Sequence, residues 1–249
     1  MTAALAPKRT VAWLAETLAG AASRTDFLRS LQDICRACGA KHGAFSMRHV
    51  PGVVGDDPFH IDTFGDFWRS HVIEQNYAAV DPIRSFSERA MQPVDWAEFP
   101  RTRTRVKRFF KDFVEFQLGR QALTATFRGP SGDRSLLTLT SDATEKRWSE
   151  VKHELTAAMG ILHPALHRAV LRVKFQIDDV IIIRLTPRER QCLVWAAHGH
   201  TSKQIGENLG LTPATVNFFI DAAVGKLSAS NRAHAAAKAV ALGLIAPPR

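Results

Sequence analysis

Residues 185–227 read LTPRERQCLVWAAHGHTSKQIGENLGLTPATVNFFIDAAVGKL, and three helix starts follow one another within them. Thr186-Pro187-Arg188-Glu189 has the spacing of a capping box, with proline at the first helical position, where its missing N–H costs nothing. Cys192, Leu193, Ala196 and Ala197 give that helix an inner face, and Gly199 supplies the left-handed residue that ends it. Thr201-Ser202-Lys203-Gln204 repeats the capping spacing, Ile205 and Leu209 point inward, and Gly210 closes the second helix. Thr212-Pro213 opens a third, whose inner stripe is Val216, Phe219, Ile220, Ala223 and Leu227. A fourth, over about 232–242, stops at Gly243.

Two short helices joined tightly through Gly210 are what a helix-turn-helix needs: one braces the DNA backbone while the next enters the major groove. A helical wheel leaves Ala214, Asn217, Phe218 and Asp221 facing away from the core, with Thr215 at the margin. Asn217 suits adenine, Phe218 a thymine methyl, and Asp221 a cytosine amine. Arg188, Lys203, Lys226 and Arg232 read as phosphate anchors, blind to sequence but important for affinity. A competing reading is a helical bundle that docks another protein, because the outer face of the third helix carries no Lys or Arg in its first three turns. The paired caps and basic flanks weigh against it.

The run Leu185-Thr186-Pro187-Arg188-Glu189, Leu193, Ala196, Gly199-His200-Thr201, Ile205, Leu209, Thr215-Val216, Lys226-Leu227, Asn231-Arg232, Ala239 and Leu242-Gly243-Leu244-Ile245 resembles the LuxR-type helix-turn-helix. That resemblance covers the whole C-terminal domain and implies a transcription regulator. Phe219 stands where many members have histidine, Ala222 where many have asparagine, and Gly206 where alanine is usual. Glycine inside a helix costs about 1 kcal/mol against alanine, so Gly206 implies either a close helix contact or a softer helix.

The whole chain of 249 residues, 45% apolar and 23% charged, suits two modest domains. Its 33 Lys and Arg against 24 Asp and Glu give a formal charge of +9, which favours a polyanionic partner. Val180-Ile181-Ile182-Ile183 is far too short to cross a bilayer, and no leader pattern follows Lys8-Arg9, so a cytoplasmic protein without a membrane partner is expected. Cys35 and Cys38 form a C-x-x-C with no second ligand pair. Leu28, Leu31 and Ile34 share their helical spacing, which predicts core thiols and neither metal nor cofactor. No H-E-x-x-H, phosphate loop or G-x-S-x-G is present, so no enzyme is expected.

Before the C-terminal domain, helical stripes at Val11, Leu14, Ala15 and Leu18 and over about 25–38 precede β-like runs at 44–50 and 59–64. A helix carrying Phe67, Trp68 and His71 leads to Asp81-Pro82, and the basic segment 101–111 continues as a helix through Phe113 and Phe116. The clearest hairpin joins 122–127 to 135–140 through Gly129-Pro130-Ser131-Gly132-Asp133. One long helix, with Pro164 as a candidate kink, covers about 143–173. The expected architecture is α+β: an N-terminal α/β/α sandwich around an antiparallel sheet over 1–173, a linker at 174–184, and an all-α four-helix helix-turn-helix domain at 185–249.

Trp68, Asp81, Pro82 and Trp96 fall in the order and spacing of the acyl-homoserine-lactone-binding domain of LuxR-type receptors, a resemblance that runs from about Arg24 to Val170. It implies that Trp68 donates its indole N–H to a lactone carbonyl, that Asp81 accepts the ligand amide N–H, and that Trp96 packs near the lactone ring. Phe64 and Val72 stand where the family keeps tyrosines, Ala122 where it tends to have glycine, and Thr138 is placed to replace one lost hydrogen bond. The plain alternative is that both tryptophans are core aromatics and Asp81-Pro82 caps a helix. The combined reading is a homodimeric regulator of double-stranded DNA whose N-terminal domain senses an amphiphilic signal, an acyl-homoserine lactone or analogue. Its rival is a ligand-independent regulator, or a protein-interaction module with a degenerate pocket.

Overall fold

The computed structural model describes residues 8–50, 58–79, 82–87, 90–129, 132–177 and 184–246. Contacts divide the chain into two compact units, residues 1–128 with 133–179, and 129–132 with 180–249.

In the first unit, α1 (Lys8–Ala19) and α2 (Arg24–Cys38) lead into β1 (Gly43–His49) and β2 (Phe59–Asp62). Then come α3 (Asp66–Glu74), α4 (Pro82–Ser87), the short β3 (Val94–Asp95), α5 (Thr104–Glu115), the hairpin β4 (Gln121–Arg128) and β5 (Arg134–Ser141), and α6 (Glu145–Phe175). Ser23 caps α2 by accepting the Asp26 N–H, and Gly39, at φ 63°, ends it. Phe27, Leu31, Ile34, Cys35 and Cys38 form its buried face, so the C-x-x-C thiols sit free in the core as expected.

Among the described residues the sheet has five strands in the order β2-β1-β5-β4-β3, every pair antiparallel. Strand alternation sorts its side chains into two layers. Phe45, Met47, Phe59, Ile61, Leu123, Ala125, Leu137 and Leu139 pack with α1, α2 and α6 in one core. The opposite faces of the same strands meet a second, aromatic-rich core built on Trp68, Trp96, Phe110 and Phe113. This is the expected sandwich.

Local pattern missed three features. β3 is two residues long and α4 only six; β3 exists through its neighbour, Val94 and Asp95 pairing with Thr124 and Leu123. The long helix runs unbroken past Pro164 to Phe175, where Gln176 takes the left-handed conformation. Val173 and Phe175 still pack on the first core, which carries the helix two residues beyond the expected end. A polar network crosses that apolar layer: Ser135 Oγ meets His163 Nε2 at 2.9 Å and His167 Nδ1 at 2.6 Å, and His167 Nε2 meets Asp133.

The second unit contains α7 (Pro187–Ala197), α8 (Ser202–Leu209), α9 (Pro213–Lys226) and α10 (Arg232–Ala241). Both capping boxes form in full, Thr186 with Glu189 and Thr201 with Gln204. Leu193, Ala223, Leu227, Ala235 and Ala239 make one apolar cluster; Cys192, Ile205, Val216 and Ile220 make the other. Gly206 has a structural reason: a Cβ there would press into the Leu211 carbonyl oxygen, so the glycine admits the tight turn between α8 and α9.

Candidate functional site

A cavity of about 140 Å³ lies between the sheet and the aromatic layer. Ala44, Ser46, His60, Leu136 and Thr138 form its sheet side; Phe64, Trp68, Ile83, Trp96, Phe109 and Phe113 close it opposite. Phe113 stands between the two indoles, its ring centre 5.3 Å from Trp68 and 4.8 Å from Trp96. Of the expected ligand-binding residues, the cavity gathers Phe64, Trp68, Trp96 and Thr138. Val72 is not among its lining and packs within the aromatic core instead. Asp81 lies outside the described residues.

The two tryptophans differ in their polar handles. Trp96 gives its indole N–H to Thr124 Oγ1 at 2.8 Å, and Thr124 Oγ1 lies 2.8 Å from Thr138 Oγ1. Indole N–H only donates, so Thr124 accepts from Trp96, and the two threonine hydroxyls share the second hydrogen bond. Thr138 brings this pair to the cavity wall. Trp68, 5% exposed, has no acceptor for its N–H among the described residues. The cavity is thus aromatic and aliphatic on the helix side, with polar groups from Ser46, His60 and Thr138 on the sheet side. Thr124 was absent from the sequence reading. Its signal was the hairpin register, which sets it opposite Thr138.

Two buried carboxylates hold the helix side in place. Asp112 on α5 receives the Tyr77 hydroxyl at 2.5 Å and meets His71 Nε2 of α3 at 2.7 Å. Burial pushes its carboxyl up, but these bonds outweigh burial and hold it below the usual range. Burial and the facing carboxylate push the Tyr77 phenol up to about 12. Asp62, at the end of β2, accepts the Phe64 N–H at 2.9 Å and two Arg69 contacts at 3.1 and 3.3 Å. Burial works against its ionisation, yet His60 and Arg69 pull it down to about 2. Asp95, just before Trp96, takes the Trp148 indole N–H at 2.6 Å and Lys152 at 3.1 Å, tying the cavity wall to α6.

On the second unit, Ala214, Asn217, Phe218 and Asp221 are exposed on α9, with Phe218 at 68%. Thr215 is half-buried, its hydroxyl 2.8 Å from Thr212 Oγ1. Lys203 and Arg188 are exposed, Arg188 reaching Gln191 at 3.2 Å. The other two expected phosphate anchors are engaged within the protein. Lys226 Nζ meets both Glu189 oxygens at 2.8 Å. Arg232 donates to Ser202 Oγ at 2.9 Å and to the His200 carbonyl. Neither partnership was legible in the helix wheel, because Glu189 lies 37 residues from Lys226 and Ser202 30 from Arg232.

Two family models match. Residues 23–170 match the autoinducer binding domain, and residues 184–239 match the bacterial regulatory proteins of the luxR family. The transcriptional activator protein RaiR of Rhizobium etli is 28% identical over 179 residues, 72% of this chain and 74% of RaiR. The quorum sensing-dependent transcriptional regulator RpaR of Rhodopseudomonas palustris is 30% identical over 181 residues, 72% of this chain and 71% of RpaR. Among solved structures, SdiA of Escherichia coli superposes with a TM-score of 0.61 at 18% identity, over 94% of this chain and 97% of SdiA. The N-acylhomoserine-lactone-dependent CepR2 of Burkholderia cenocepacia does so at 0.55 and 18%, over 67% and 96%; at such identities both show the fold alone. With an autoinducer-binding domain before a GerE-type helix-turn-helix, the chain belongs to the LuxR family of DNA-binding transcription regulators.

Proposed function

We propose that the N-terminal domain binds an acyl-homoserine lactone or a close analogue in the cavity, and that occupancy controls the operator binding of a cytoplasmic homodimer. The observation that carries this reading is a cavity with an aromatic wall that includes Trp68 and Trp96, set against a sheet side that carries the polar Thr138 and Ser46. A few fixed polar groups in an apolar box orient an amphiphile by its head. Trp68 and Thr138 would hold the ligand's carbonyls, Asp81 its amide N–H, and Phe64, Val72 and Trp96 would shape the surroundings. Residues 1–173 would sense, 174–184 link, and 185–249 bind DNA. Thr215, Asn217, Phe218 and Asp221 would face the groove, flanked by Lys203 and Arg188. Ligand acts by linkage, raising the population of whichever DNA-competence state it prefers.

SdiA was also solved with octanoyl-rac-glycerol, so an acyl glycerol is the natural competing amphiphile to test. Purification from a host making acyl-homoserine lactones, followed by mass spectrometry of what co-purifies, tests the reading. A stoichiometric acyl-homoserine lactone supports it. An acyl glycerol redirects the ligand class, and a ligand-free protein that still binds its operator favours the ligand-independent regulator.

A further inference from the structure

We infer that Ser202 and Arg232 fix which way the Asn217 amide faces DNA, so that Asn217 presents its N–H₂ to an acceptor on a base edge; this rests on the reading of the outer face of α9 as the groove-facing surface. The three residues form a chain. Arg232 Nη1 reaches Ser202 Oγ at 2.9 Å, and Ser202 Oγ reaches Asn217 Oδ1 at 2.6 Å. A guanidinium only donates, so the serine oxygen must accept from it. The serine has one hydrogen left, and the 2.6 Å contact is an O–H···O distance, short for N–H···O. Accepting from a cation also makes the hydroxyl a better donor. The amide atom facing Ser202 is therefore the carbonyl oxygen, and the amide nitrogen turns outward.

The origin of the chain is itself fixed. The second Arg232 nitrogen holds the His200 carbonyl, in the turn before α8. Asn231 caps α10 by accepting the His234 N–H at 2.9 Å, which sets the backbone at Arg232. Ser202 and Arg232 are half-buried while Asn217 is exposed, so the chain runs from the packed helices out to the exposed face of α9. In the major groove, guanine and adenine N7, guanine O6 and thymine O4 accept, whereas the cytosine edge offers an amine. An Asn217 held nitrogen-outward discriminates against cytosine at the position it reaches. Arg232, expected from sequence to touch phosphate, becomes a positioning residue for base readout.

The test is selection from a randomised two-fold operator with the full-length protein, comparing wild type with Ser202→Ala, Ser202→Thr and Asn217→Ala. Wild type disfavours cytosine at one position of each half-site. Ser202→Ala frees the amide to turn, and discrimination against cytosine there falls at least about fivefold, the worth of the weakest good base contact. Other positions, nonspecific affinity and melting temperature hold, and Ser202→Thr restores the preference. If Ser202→Ala keeps the wild-type profile while Asn217→Ala loses it, the chain plays no positioning role. If Ser202→Ala weakens all sequences alike, Ser202 holds phosphate and the inference falls. If Asn217→Ala leaves every position unchanged, the reading face itself is misplaced and both readings fall together.

Discussion

Replacing Lys226 with methionine removes the ammonium that meets both oxygens of Glu189 at 2.8 Å, yet keeps most of the aliphatic stem. Glu189 is 4% exposed, and among the described residues only the Thr186 N–H at 2.8 Å would then bond its carboxylate strongly. Stranding a buried acceptor costs about 1–3 kcal/mol, and more for a charge. Because the Lys226 side chain is 40% exposed, water solvates the pair in part, which brings the expected loss to about 2 kcal/mol. Lys226 joins the end of α9 to the first turn of α7, so the loss should fall on the C-terminal unit. Hydrogen exchange of α7 and α9 amides in the full-length protein reads that unit by itself, and protection there should drop roughly 30-fold. Adding Glu189→Gln should recover part of the loss, since no buried charge is then left unpaired. The salt dependence of DNA binding should be nearly unchanged. If instead protection holds and the slope of log affinity against log salt flattens by about 1, Lys226 is a phosphate anchor and the structural assignment is wrong.

Thr124→Val leaves the buried Trp96 N–H without its acceptor and should cost about 1–3 kcal/mol, seen as a lower melting temperature together with weaker ligand binding. His163, 2% exposed, is pushed down to about 3 by burial and by neighbouring His167. The unfolded chain takes up that proton below about pH 6.5 while the native one does not, so stability is complete above 6.5 and falls about 1.4 kcal/mol per unit below it. Denaturation at pH 7.0, 5.5 and 4.5 should show this slope, and His163→Gln should flatten it in a window where Asp62, held at about 2, is still ionised. Burial pushes the Cys35 thiol up to about 12 and Cys38 to about 11, so neither should react with a maleimide at neutral pH until the domain unfolds.

How far the sequence could be read depended on the range of each interaction. The C-terminal helices were legible because their signals are local: Thr186 with Glu189, Thr201 with Gln204, and the left-handed Gly210 each act within four residues. The hairpin and the two-layer sheet were legible from alternation and a turn. The walls of the cavity were only partly so. Trp68 and Trp96 were found, but Thr124 and the Asp112 clamp depend on strand register and on two helices meeting across 35 to 41 residues. Charge alone did not reveal internal partners: Lys226 meets Glu189 and Arg232 meets Ser202, each across 30 residues or more of sequence. Gly206 shows the converse case, a residue that weakens a helix on paper and proves to admit a neighbouring backbone.

The most direct test of the account is a ligand melting series on full-length wild type and Trp68→Phe, which deletes the indole N–H but keeps an aromatic ring in the cavity. Acyl-homoserine lactone at 100 times its Kd should stabilise the wild-type protein by about 2.7 kcal/mol, a rise of roughly 5–10 °C in Tm. Trp68→Phe should need roughly tenfold more ligand for the same shift. No shift with any chain length, or the same titration for both proteins, would contradict a ligand held at that nitrogen in this cavity.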